Sequence, residues 1–199
     1  MENKNIIQQY LNGLQTHLSE DDKKALSYAY GAMDSQIARL KDQYPECPDS
    51  LLQLLMQING TYGQHYGDQD IFVLIFGAEV DLTEYPYYLR SVEQILEGSD
   101  FNKSIRETYG EHFESMPGLV EPGIDPDVDM DRWLCFSYCV NNGGTSMLYL
   151  DFNPLPGGTR GQVVRYLHDP DSFKVIAGSF DEYLQMVMDK DYSFLLSGY

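Results

Sequence analysis

Three cysteines and four histidines are the residues of this chain best suited to hold a metal or attack a substrate. A structural zinc site needs about four such ligands at compatible spacings. Cys135 and Cys139 stand four apart in a strand-like run, so both side chains point to one face but lie too far apart along it to share an ion. Cys47 stands elsewhere, and His17, His65, His112 and His168 are isolated, so buried thiols and ordinary imidazoles are the simpler reading. Asp125, Asp127, Asp129 and Asp131 alternate like the start of a calcium loop. An EF-hand requires glycine at its sixth position and glutamate at its twelfth. From Asp125 those positions hold Met130 and Phe136, and from Asp127 they hold Arg132 and Tyr138. Both frames fail, which leaves an irregular calcium site or a solvated acidic loop. No G-x-S-x-G is present, and no cysteine sits in an activating context. Gly157-Gly158-Thr159-Arg160-Gly161 joins strand to strand and lacks the phosphate-binding lysine, so it reads as a turn. Acids are so common here that paired carboxylates diagnose nothing.

The elements that would position these residues begin with helices. Ile6, Ile7, Tyr10, Leu11, Leu14 and Leu18 follow helical spacing, and Ser19-Glu-Asp-Asp22 resembles a capping box. A second helix is predicted over 20–43, ended by Pro45 and Pro48, and a third over LLQLLMQI, ended by Asn59-Gly60. TYGQHYGDQD (61–70) reads as loop, and IFVLIF (71–76) as one strand buried on both faces. Signals weaken from Gly77 to Tyr109, with short helices predicted at 91–97 and 100–109. Residues 115–131 carry three prolines, two glycines and five acids, and read as a partly mobile loop. Strands are then predicted at 133–140, 146–152, 161–167 and 173–177, with short connections that favour an antiparallel meander. Ser179-Phe-Asp-Glu182 opens a closing helix whose Phe180, Tyr183, Leu184, Val187 and Met188 share a face.

The fold class is therefore α+β: N-terminal helices, an antiparallel meander sheet and a closing C-terminal helix. The 199 residues read as a single domain, with 1–40 a helical N-terminal extension. A net charge of −18, from 31 acids against 13 bases, repels phosphate backbones and suits either a basic protein partner or plain solubility. ENKNIIQQYLNG after Met1 lacks the features of a signal peptide, and no window approaches a spanning helix, so the chain reads as cytoplasmic without a membrane partner. Long exposed sheet edges would favour homodimers.

Five motifs in a fixed order carry a resemblance. They are P-x-x-P-D-S-L-L-Q-L-L-x-x-I-N-G (45–60), a later tryptophan in a strand, G-G-T-x-x-x-Y-L-D-x-N-P (143–154), G-Q-V-V (161–164) and V-I-A-x-S-F-x-E-Y-L (175–184). Over about residues 40–190 the chain resembles the SUKH superfamily, which takes in fungal cell-wall-assembly regulators and bacterial immunity proteins. The resemblance implies a non-enzymatic protein with no cofactor. Its leading form is an acidic immunity protein that sequesters a toxin, in the sharpest case a basic nuclease. A regulatory scaffold is the alternative, and a small-molecule or metal-binding enzyme the third. The candidate contact acids are Asp68, Asp70, Glu79, Asp81 and Glu84, against plain solvation of each. Trp133, Gly143, Gly144 and Phe180 are assigned structural roles. Specificity is expected in the acidic stretches at 61–70 and 115–131 and in the weakly patterned middle of the chain.

Overall fold

A computed structural model describes residues 6–80, 83–99, 101–139 and 145–195. Four helices come first: α1 (Ile6–His17), α2 (Glu20–Leu26), α3 (Asp34–Gln43) and α4 (Asp49–Leu55). In α1, Ile7, Tyr10 and Leu14 are fully buried, as their helical spacing requires. Ser19 caps α2 by accepting from the amide of Asp22 at 3.1 Å. The single helix predicted over 20–43 is two helices. Between them the chain runs along the end of α4, where the amide of Ala32 donates to the Leu55 carbonyl (2.8 Å) and that of Asn59 to the Tyr30 carbonyl (3.0 Å). Gly31 permits this approach, because a Cβ there would lie 1.8 Å from the Met56 carbonyl oxygen.

IFVLIF is also divided. Tyr62–Tyr66 (β1) and Gln69–Phe72 (β2) form a separate two-stranded hairpin, and Leu74–Val80 (β3) starts the main sheet. Val73 marks the break, its amide donating to the Thr61 carbonyl at 3.1 Å. Ile71, Val73, Ile75 and Phe76 are buried as expected, whereas Phe72 is exposed. The stretch 61–70 is thus hairpin rather than loop. The main sheet runs β3-β4-β5-β6-β7-β8, with Thr83–Leu89 (β4), Leu134–Cys139 (β5), Ser146–Asp151 (β6), Gln162–Leu167 (β7) and Ser172–Ala177 (β8). Every neighbouring pair is antiparallel, so the meander is confirmed. The predicted connection holding Gly143 and Gly144 lies outside the described residues.

Both faces of the sheet are covered. On one, Phe76, Phe136, Phe180 and Tyr183 pack ring against ring beneath α7 (Phe180–Asp189), with centroids 5.3–6.3 Å apart. Ser179 caps α7 through the amide of Glu182, and Phe180 is buried in the structural role assigned to it. On the other face, residues 101–130, which follow the short helix α5 (Val92–Leu96), form a lid that includes α6 (Ile105–Tyr109). Leu119, Ile124 and Met130 are buried among Trp133, Tyr149 and Phe173, so the acidic stretch at 115–131 is pinned to the core. Its signal was weak because the buried residues stand singly between prolines and acids. A bulge between Cys135 and Ser137 reverses the strand's alternation. Cys135 therefore faces the lid and Cys139 the helices, on opposite faces rather than one.

Neither edge strand is bare. The stretch 119–121 runs beside β8, with Phe173 donating to the Leu119 carbonyl (2.7 Å) and Glu121 to the Phe173 carbonyl (3.0 Å). On β3, three alternate carbonyls accept from side chains: Ile75 from Tyr10, Gly77 from Tyr183 (3.0 Å) and Glu79 from Arg165 (3.1 Å). Burial raises both phenols far above their ordinary value, so they remain protonated donors. Arg165 reaches β3 from β7, which shows how strongly the sheet curls. Among the described residues, both edges of the main sheet are thus partly covered.

Candidate partner-binding surface

The five candidate acids fall into two groups. Asp68 occupies the tight turn of the β1–β2 hairpin and is exposed. Asp70 stands opposite His65 in the register, and its carboxylate is in contact with the His65 Nδ1. Glu79 and Glu84 face each other across β3 and β4. Like charges in direct opposition are unfavourable, and here the C-terminal segment relieves them. Lys190 pairs with Glu79, and the Ser193 hydroxyl donates to Glu84. Asp81 lies outside the described residues. Glu79 and Glu84 are thus committed to holding the C-terminal segment, while Asp68 and Asp70 stand at the exposed end of the β1–β2 hairpin.

Sequence reading overlooked the apolar side chains around that hairpin. Tyr28 (42% exposed), Tyr30 (60%), Met33 (67%), Met56 (46%) and Phe72 (57%) are five of the six large exposed hydrophobics among the described residues. The Tyr30 ring meets Tyr66 of β1 edge-on at 4.8 Å, and Gly31 holds the same segment against Met56. The α2 helix packs against β2, and Phe72 lies edge-on to Tyr62 and Tyr88 at 6.0 and 6.4 Å. Beyond them Tyr62 and Tyr138 wall a cleft of about 240 Å³ that reaches Arg90 and Met147. Aromatic and methionine side chains exposed together mark contact surfaces more than charge alone does.

The remaining constellations have structural partners. Burial pushes the Cys47 thiol up to about 12, against a small opposing effect of Lys41, and also raises Cys135. A thiolate nucleophile is disfavoured at both. In the alternating aspartates, Asp125 accepts the amide of Asp127 (3.0 Å), and the Asp127 carboxylate takes Arg106 Nε at 2.7 Å. Arg106 also binds Glu114 at 2.7 Å and lies over the Phe113 ring. Among the described residues no three His, Cys, Asp or Glu side chains are placed to hold a metal ion.

Asp171 joins the lid to the β7–β8 turn. It accepts from Tyr109 Oη (2.5 Å) and Tyr166 Oη (3.4 Å), and its other contact is His168 Nδ1 at 2.6 Å. Burial acts to raise its pKa, but the bonds from Tyr109 and His168 outweigh this and hold it below the ordinary carboxylate value. A depressed native pKa stabilises the fold above the unfolded value of about 4, and that contribution is lost as pH falls through the native one. Asp171→Asn should therefore cost about 1.5–3 kcal/mol near neutrality, the usual worth of hydrogen bonds to a charged group. Urea titrations of both proteins should show the difference shrinking as pH drops below about 4. A constant difference down to pH 3 would contradict this assignment.

The family model described as SMI1 / KNR4 family (SUKH-1) matches residues 31–186 of the chain. That span takes in α3, α4, the whole sheet and most of α7, leaving α1 and α2 outside. No curated protein matches the chain significantly. Among the described residues no helix is long and apolar enough to cross a membrane.

Proposed function

The chain belongs to the SMI1/KNR4 family (SUKH-1), and on that premise we propose that it is an acidic binding protein of the immunity type. It sequesters a basic toxin domain, in the sharpest form a nuclease, by direct protein–protein contact. The observation that carries this reading is the net charge of −18. A groove built to hold phosphates is basic, so an acidic blocker is drawn to it faster and seated more firmly than a neutral one. The exposed aromatic and methionine side chains supply the apolar anchors that charge steering alone lacks. The SMI1/KNR4 match also fits a second role, a regulatory scaffold that engages several partners.

Co-expression separates the two. The toxin domain encoded beside this chain's reading frame should be lethal alone and tolerated when the chain is present. The pair should elute as one stoichiometric complex. Failure to restore growth, together with no complex at low salt, would defeat the immunity reading. Recovery of several unrelated partners without protection would favour the scaffold.

A further inference from the structure

The apolar anchors lie at the corner of the molecule where α2 packs on the β1–β2 hairpin, although three separate segments supply them. These are the α2–α3 connection, the residue after α4, and the β1–β2 hairpin. Tyr30 is fixed by Tyr66 and by its carbonyl's bond to Asn59, so its ring is exposed but held in place. Phe72 is braced in the same way by Tyr62 and Tyr88. A ring held by its neighbours loses little rotamer freedom when a partner covers it, which is the property of a binding anchor. Met33 and Met56 add unbranched side chains that adapt to a partner's contour. The hairpin carries Asp68 and Asp70, and the helices flanking the connection carry Glu20, Asp21, Asp22 and Asp34 against Lys23 and Lys24, with α2 packed on β2.

We propose that this corner is the docking face for a cationic partner protein, with Phe72, on the hairpin face that also carries Asp70, as the central anchor, Tyr30 as a second anchor at its edge beside Tyr66, and the hairpin and α2 acids as the steering rim. The inference rests on the immunity reading and adds the location and chemistry of the contact. The face commits to a basic partner because its acids outnumber its lysines. The opposing surface should present lysine or arginine around one or two apolar side chains. The exposed aromatic and methionine side chains, rather than the backbone of the hairpin, supply the contact. The 115–131 acids are excluded from the anchor role, since the neighbouring apolar residues Leu119, Ile124 and Met130 are all buried in the core.

The test uses the full chain and a catalytically inactive form of the toxin domain encoded beside it. Tyr30→Ala and Phe72→Ala should each weaken binding about tenfold or more. Asp21→Lys with Asp68→Lys should mainly slow association, by about tenfold at low salt. Asp125→Asn, in the lid, should change neither. In parallel, a photo-reactive benzoylphenylalanine at position 30 or 72 should cross-link to the toxin domain, whereas one at position 155 should not. Leu155 is the sixth exposed apolar residue and lies away from this corner, beside the Gly158 turn and Arg160. The cross-links report the contact even where an alanine variant loses stability. A complex that forms with unchanged affinity in the alanine variants, or that cross-links only from position 155, would overturn the location while leaving the immunity reading intact. Cross-links between two copies of the chain would make the face a dimer seam and also overturn it. If no complex forms with the wild-type chain, both readings fall.

Discussion

Trp133→Ala should lower folding stability by about 3–5 kcal/mol, the range for removing a large aromatic from a packed core. The indole is 2% exposed at the start of β5, edge-on to Tyr149 at 5.8 Å, in the cluster that joins the lid to the sheet. Its truncation would leave a cavity between Met130 and Tyr149 that neither can fill, because both are anchored in ordered segments. The indole Nε1 has no hydrogen-bond partner among the described residues. An unpaired buried donor is itself unfavourable, so the tryptophan stabilises through packing alone. Trp133→Phe should accordingly cost well under half as much as the alanine change. Urea unfolding followed by circular dichroism gives both values. An alanine variant within about 1 kcal/mol of wild type, a shift typical of an ordinary substitution, would contradict the structural role and return Trp133 to the surface.

Gly31→Ala should be nearly as damaging, although it adds only one methyl group. Gly31 has no positive φ, so the difficulty is space rather than backbone conformation. The new Cβ would fall 1.8 Å from a backbone oxygen, which no side-chain rotation can relieve. The α2–α3 connection must then lift from α4, and the two backbone bonds that dock it would be lost. Each is worth about 0.5–1.5 kcal/mol, and the buried partners left behind cost more. A total of about 2–4 kcal/mol follows, comparable to an overpacked core site with two broken bonds. Thermal unfolding should show a correspondingly lowered Tm. Because Tyr30 precedes the glycine, partner binding should weaken with it. A variant of unchanged Tm would show that the segment is held by something other than this close approach.

The sequence announced the elements whose signals are local. Strands β5 to β8 were legible because apolar runs alternate with turn clusters, and α7 because its buried residues repeat at helical spacing behind a serine cap. Strand β4, TEYPYYL, was not. Its apolar content is mostly tyrosine, and Pro86 argues against a sheet interior. The structure tolerates Pro86 because β5 pairs with β4 only at Tyr88 and Leu89, leaving the proline beside an unpaired edge. The division of the 20–43 helix was hidden for a different reason. It depends on the carbonyl of Met56, a residue distant in sequence.

The same distinction applies to the binding surface. Asp68 and Asp70 could be singled out from their position, yet nothing local distinguished them from Glu79 and Glu84, which the fold commits to Lys190 and Ser193. Tyr28, Tyr30 and Met33 sit in what reads as an amphipathic helix, where an apolar residue is ordinarily taken for core. Only the break at Gly31 turns them outward. Phe72 likewise reads as the second residue of a buried strand, and becomes exposed because the strand divides after it.

The most direct test of the account is a calorimetric titration of the wild-type chain into the inactive toxin domain encoded beside it, at low and at physiological salt. A saturable 1:1 complex is expected, with an affinity that falls as salt rises, because complementary fields supply much of the attraction. No binding heat at low salt, or an affinity that salt leaves unchanged, would contradict it.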